Sequence, residues 1–184
     1  MIVKRHIGCS RRAFGRLCTK RKYEIGVEVG VLRGTFSEFL LKNTDLKKLY
    51  CVDLWDEEHS CEEEISAEEI FKEAAKRLSA YGDRVTILRY ESVLAARLFE
   101  DKSIDFIYID ADHSYSAVVT DLQEWMPKVR IGGMLAGHDF QDVGRTKQVS
   151  KALETVIGDS IPIHTTRESI CASWWITISP TDNK

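Results

Sequence analysis

Two short runs hold most of the side chains capable of chemistry. The first is Ile109-Asp110-Ala111-Asp112-His113-Ser114-Tyr115, directly after the apolar stretch Ile104–Ile109. The second is Gly137-His138-Asp139-Phe140, after Met134–Ala136. Two acids and a histidine at the mouth of a buried strand are poorly explained by packing. An imidazole with an ordinary pKa near 6.5 can take a hydroxyl proton at neutral pH, and carboxylates with an open position suit Mg²⁺ or another hard divalent ion. Two further acids fall at corresponding places. Glu28 opens Glu28-Val29-Gly30-Val31-Leu32-Arg33-Gly34-Thr35, and Asp53 opens Asp53-Leu54-Trp55. Glycines at positions 30 and 34 let the backbone turn tightly and approach a ligand, and Glu28 suits a cationic one. Asp53 is placed to accept from ribose hydroxyls or to cap a loop. Trp55 can lie on an adenine face or in the core. Glu91 and Ser92 can meet an adenine edge or cap a helix.

These runs must be positioned by an alternation of strands and helices. Strands are expected at Ile25–Val29, Leu49–Leu54, Val85–Arg89, Ile104–Ile109 and Met134–Ala136, the last entered through a Gly132-Gly133 turn. Helices are expected over Gly34–Leu41, Ala67–Tyr81, Ser92–Phe99, Ala117–Trp125 and Lys147–Ile157. Ser66 and Glu69 form the capping box of the second helix. Ile161–Thr165 and Ile170–Ile178 can close the chain as a hairpin, one strand antiparallel to the rest. Five successive βα units imply an α/β doubly wound, mostly parallel sheet. Such a sheet binds ligands outside the carboxyl ends of its strands, which is where all of these runs lie.

The chain has 184 residues, enough for one domain with a substantial core. No apolar run reaches the roughly 20 residues that cross a bilayer, and no secretion signal is visible, so a cytoplasmic protein with no membrane partner is expected. The cysteines are odd in number, with no Cys-x-x-Cys pair, which disfavours a disulfide framework or structural zinc and favours a reducing compartment. Net charge is −3, which excludes a generic nucleic-acid binder. Charge is nevertheless uneven: residues 1–23 carry eight Lys/Arg and no acid, and residues 53–69 are acidic. We read them as a solvated basic leader and a solvated acidic loop.

The four runs Gly26–Ser37, Val52-Asp53-Leu54-Trp55, Ile109–Tyr115 and Gly132-Gly133-Met134-Leu135-Ala136-Gly137-His138-Asp139 together resemble the class I S-adenosylmethionine-dependent methyltransferases. The similarity is greatest to the small group that also resembles catechol and macrolide-sugar O-methyltransferases, and it spans roughly residues 24–178. It implies a Rossmann-like seven-stranded sheet of order 3-2-1-4-5-7-6, strand seven antiparallel. The implied organisation is a leader at 1–23, the methyltransferase domain at 24–178 and a tail at 179–184. It also implies a cofactor site of Glu28, Gly30, Val31, Gly34, Asp53, Leu54, Trp55, Glu91, Ser92, Asp110 and Asp112, with His113 as general base. Asp110, His138 and Asp139 would hold a divalent cation such as Mg²⁺. His138 departs from the two adjacent acid or amide ligands of the metal-dependent relatives, which leaves a metal-free enzyme, or another divalent ion, open.

The expected activity is methyl transfer to a hydroxyl of a small molecule. A base N-methyltransferase is disfavoured by the absence of an Asn/Asp-Pro-Pro-aromatic run after the fourth strand. The substrate must be covered by the N-terminal segment, by loops 55–66 or 140–146, or by a second subunit, so a homo-oligomer stays open. Two alternatives are a non-catalytic S-adenosylmethionine-binding module and a nicotinamide-dependent oxidoreductase. The missing Gly-x-Gly-x-x-Gly and the acid at Glu28 argue against the oxidoreductase.

Overall fold

A computed structural model describes residues 3–5, 11, 13–56, 65–140, 148–158, 161–168 and 171–180. Among these residues eight strands form one sheet: β1 (Val3–Arg5), β2 (Ile25–Val29), β3 (Lys48–Asp53), β4 (Val85–Arg89), β5 (Ile104–Ile109), β6 (Val129–Phe140), β7 (Ile163–Thr165) and β8 (Ala172–Thr177). Their order is β1-β7-β8-β6-β5-β2-β3-β4. The seven strands from β2 onward reproduce the expected 3-2-1-4-5-7-6 order. β8 runs antiparallel to β6 and β7, and the remaining pairs are parallel. The eighth strand, β1, extends the edge beyond β7 from within the basic segment.

Among the described residues six α-helices cover the sheet: α1 (Ala13–Arg21), α2 (Thr35–Asn43), α3 (Ala67–Leu78), α4 (Ser92–Ala96), α5 (Tyr115–Trp125) and α6 (Gln148–Ile157). The central strand β5 is buried along its whole length, and its alternate residues serve opposite layers. Ile107 and Ile109 pack with Val118, Leu122, Trp125 and Leu153 from α5 and α6. Phe106 and Tyr108 pack with Phe14, Leu40, Ile70 and Leu78 from α1, α2 and α3.

The basic segment is therefore not simply solvated. Phe14 and Cys18 of α1 are fully buried, and Phe14 meets Tyr108 and Trp175 edge-on at 5.3 and 5.5 Å. Asp105 fixes where β2 begins, because one of its oxygens accepts from the amides of Glu24 and Ile25, both at 2.8 Å. Arg130 donates to its other oxygen. Ser66 and Glu69 form the expected capping box on α3.

Several boundaries differ from expectation. Gly132-Gly133 is not a turn before the fifth strand but lies inside β6, at an irregularity in its pairing with β5, with Gly132 at φ +79°. The helix expected to reach Tyr81 ends at Leu78 and continues as a 3₁₀ turn over Ser79–Arg84. The helix expected over Ser92–Phe99 stops at Ala96. α5 starts two residues early, at Tyr115, because Ser114 caps it. Cys18 and Cys51 are buried free thiols. Among the described residues no helix is long and apolar enough to cross a membrane. Residues 57–64 and 141–147, which include most of the expected substrate-covering loops, lie outside the described residues.

Candidate active site

Sheet register creates the site. Val29 of β2 lies opposite Ile109 of β5, and Ile109 lies opposite Gly137 of β6. The next residues, Gly30, Asp110 and His138, therefore lie side by side, the first two just past the ends of β2 and β5 and the third inside β6, which runs on to Phe140. Gly30 takes φ +86°, and a Cβ there would overlap the Asp110 carbonyl, so only glycine lets these two strand ends meet. Gly34 also has positive φ and opens α2.

The expected pair of strand-end runs does converge. His113 Nε2 lies 2.8 Å from Asp139 Oδ2 and 3.4 Å from Asp110 Oδ1. His138 Nδ1 lies 3.4 Å from Asp139 Oδ2 and 3.6 Å from Asp110 Oδ1. Asp110 and Asp139 together push the pKa of half-exposed His113 up to about 10, so the imidazole is cationic at neutral pH. Asp139 is correspondingly held below the usual carboxylate range by His113 and His138, with a thiol hydrogen bond from Cys171 adding to the effect.

Glu28, on β2, is buried and accepts from Ser37 Oγ. Burial pushes its pKa up to about 8, against the opposing influence of Ser37 and Arg11. Asp53 is committed to the glycine loop: one oxygen accepts from the amides of Val31 and Leu32, both at 2.8 Å, and the other from Trp55 at 3.0 Å. This is the loop-cap role. The second oxygen keeps a lone pair for a hydroxyl.

Trp55 is buried, donates from Nε1 to the Leu32 carbonyl and packs on Phe71, which makes it a wall of the loop. Val31 is buried beside it in the same cluster, and Leu54 lies between Asp53 and Trp55. Ser92 donates to Asp121 and accepts from Trp125 Nε1, so its hydroxyl joins α4 to α5. Glu91 is exposed at the start of α4 and makes no side-chain cap. Asp112 accepts from the amide and hydroxyl of Ser114, at 2.8 and 3.1 Å, and so shapes the entry to α5.

One residue of the cleft carries no signal in any motif. Arg11 Nη2 pairs with Asp110 Oδ2 at 2.6 Å. Its guanidinium carbon lies 4.1 Å from the Phe36 ring centre and 5.0 Å from that of Tyr108. Nothing in the sequence distinguishes Arg11 from the seven other bases of residues 1–23.

The cleft fits S-adenosylmethionine on its own chemistry. It combines a close-approach turn at Gly30, a loop braced by Asp53 and acids that suit sulfonium and ammonium charge. For a metal, Asp110, His113 and Asp139 each offer one ligand atom, all within 4.8 Å of one another. That set differs from the expected one by exchanging His138 for His113. Two carboxylates with an imidazole suit a borderline ion such as Mn²⁺ or Fe²⁺ better than Mg²⁺.

Comparisons with known proteins agree with this architecture. A family model described as a methyltransferase domain matches residues 24–140. The uncharacterized protein R132 of Acanthamoeba polyphaga mimivirus is 27% identical over 137 residues, 72% of this chain and 59% of its own length. The chain thus spans less than two thirds of that relative. The O-methyltransferase from Bacillus cereus, solved in complex with SAH, superposes with a TM-score of 0.67 at 15% identity, covering 91% of this chain and 80% of that one. An rRNA methylase from Streptococcus thermophilus superposes with a TM-score of 0.67 at 14% identity, covering 95% and 99%. The chain belongs to the methyltransferase-domain family and has the class I S-adenosylmethionine-dependent methyltransferase fold.

Proposed function

We propose that the protein transfers a methyl group from S-adenosylmethionine to a hydroxyl of a small molecule, with His113 as the proton acceptor. The observation that carries this is the junction of Asp110, His113 and Asp139 at the strand edge beside the Gly30 turn. When bound, S-adenosylmethionine supplies an electrophilic methyl group on a sulfonium.

The chain's own residues align and deprotonate. Gly30, Gly34 and the Asp53-braced loop bind the cofactor, with Val31, Leu54 and Trp55 as walls and Glu91, Ser92 and Asp112 at the adenine side. Alignment of two reactants can supply roughly 7–11 kcal/mol of the barrier lowering. His113 is half-exposed at the mouth, where an incoming hydroxyl can reach it. It becomes a base once its proton is released, and a cationic ligand beside Asp110 weakens the hold on that proton. Asp139 then keeps the ring oriented. A divalent ion on Asp110 and Asp139 would do the same, and no step depends on it.

An RNA acceptor is the second reading, favoured by the superposition on an rRNA methylase over 99% of that chain. Transfer of labelled methyl groups to a panel of hydroxylated metabolites and to ribosomal RNA separates the two. His113→Ala is expected to lower small-molecule turnover by roughly 10²–10⁴-fold while retaining S-adenosylhomocysteine binding. Full turnover in that variant removes His113 from the role, and transfer to RNA alone removes the small-molecule acceptor.

A further inference from the structure

A pocket for S-adenosylmethionine has to hold a zwitterion, because the amino-acid end of the cofactor carries a carboxylate as well as an ammonium. Asp110 answers the ammonium and sulfonium, and Glu28, largely protonated at neutral pH, can still accept a hydrogen bond. The carboxylate needs a cation, and Arg33 and His113, the cations of the strand-end runs, are already paired, Arg33 with Glu73 and His113 with Asp110 and Asp139.

Arg11 stands where that cation is needed. It lies against the acids at the ends of β2 and β5, with Asp110 on Nη2 and the charges of Asp110 and Glu28 both acting on it. Phe36, at the start of α2 just past the Gly34 turn, lies under the guanidinium plane, and Tyr108 flanks it. Stacking of this kind fixes the plane of the fork and the direction of its donors.

The fork is incompletely used. Arg11 Nε is buried from solvent and has no hydrogen-bond partner among the described residues. A buried donor on a charged group is costly to leave unpaired. A guanidinium has five donors and binds a carboxylate through two parallel N–H bonds, so a turn of the partly exposed side chain that brings Nε out to an incoming carboxylate satisfies this donor and leaves the others for Asp110.

We infer that Arg11 binds the α-carboxylate of the cofactor, with Asp110 holding the guanidinium in place beforehand. This rests on the cofactor assignment proposed above. It gives the basic N-terminal segment a role in the site. It also differs in sign from a simple plug, in which Arg11 would compete with the cationic ligand for the acids.

Calorimetry on the whole chain tests it with two ligands: S-adenosylhomocysteine, and 5′-methylthioadenosine, which lacks the amino-acid end. Arg11→Met keeps an unbranched stem over Phe36 and Tyr108 and removes the charge. It is expected to weaken S-adenosylhomocysteine by about ten- to a hundredfold and to leave methylthioadenosine within about threefold of wild type. Arg11→Lys, which keeps the charge and loses the fork, is expected to fall between, and it serves if the Met variant does not fold. Unchanged or tighter S-adenosylhomocysteine binding in Arg11→Met overturns the inference. So does an equal loss of both ligands, which would make Arg11 a support of the pocket. If wild type binds neither compound, the cofactor assignment itself fails, an outcome distinct from these.

Discussion

Asp139→Asn isolates the electrostatics of the site with little change of shape. Asp139 sits at φ +57°, in the left-handed region that asparagine also tolerates, so the backbone has no reason to move. What is lost is a full negative charge 2.8 Å from His113 Nε2. Because His113 is half-exposed, a water-like dielectric of about 80 applies, and the lost attraction is then about 1.5 kcal/mol, or about one pH unit in the His113 titration. The midpoint is expected to fall from about 10 by that amount, the rest being sustained by Asp110. The sign for stability follows. The folded pKa of His113 lies above its unfolded value, so its stabilisation is complete below about pH 6.5 and is lost as pH rises through about 10. Asp139→Asn should be less stable than wild type at pH 6, by about 1 kcal/mol, and the gap should close above pH 10. NMR titration of the His113 ring and urea unfolding at both pH values read this directly. A wild-type His113 that titrates near 6.5, or a midpoint that Asp139→Asn leaves in place, would refute the reasoning.

Other perturbations act on separate parts of the structure. Gly30→Ala forces a side chain into the Asp110 carbonyl at a positive φ; unfolding measurements should show a loss of roughly 2 kcal/mol or more, with S-adenosylhomocysteine binding abolished in calorimetry. Glu28 has a folded pKa of about 8, above its ordinary value, so it favours the folded state at low pH and opposes it as pH rises from about 4.5 through 8. Glu28→Gln should flatten that part of the stability–pH curve, and an unchanged curve would show that Glu28 is not titrating there. Ser66→Ala removes the capping box of α3 and should cost about 1 kcal/mol in urea unfolding, without altering cofactor affinity.

The parts of the fold that were legible in the sequence are those with local signatures. β5 is an apolar run broken only by Asp105, and α3 announces itself by Ser66, Glu69 and the spacing of Ile70, Ala74 and Leu78. The strand-end chemistry was legible because parallel register brings equivalent positions together. Asp110, His113, His138 and Asp139 thus met as their places in the runs required. What was hidden depends on long-range geometry or on composition that masks periodicity. α1 carries Phe14, Leu17 and Cys18 at helical spacing, but Arg16, Lys20 and Arg21 around them make the segment read as solvated. The loop-bracing role of Asp53 depends on the turn through Gly30, Leu32 and Gly34, all at positive φ. Leu32 gives no hint of that. Arg11 reaches Asp110 only because α1 docks on the face of β5 that carries Tyr108.

The central claim is that the strand edge between the Gly30 turn and Asp110 seats an adenosyl donor with its sulfur toward His113. A crystal structure of the chain grown with saturating S-adenosylhomocysteine tests it most directly. The expected result is the adenosine beside Asp53 and Trp55, the sulfur next to Asp110 and the amino-acid carboxylate on Arg11. The ligand bound elsewhere, or absent from the cleft at saturating concentration, would contradict it.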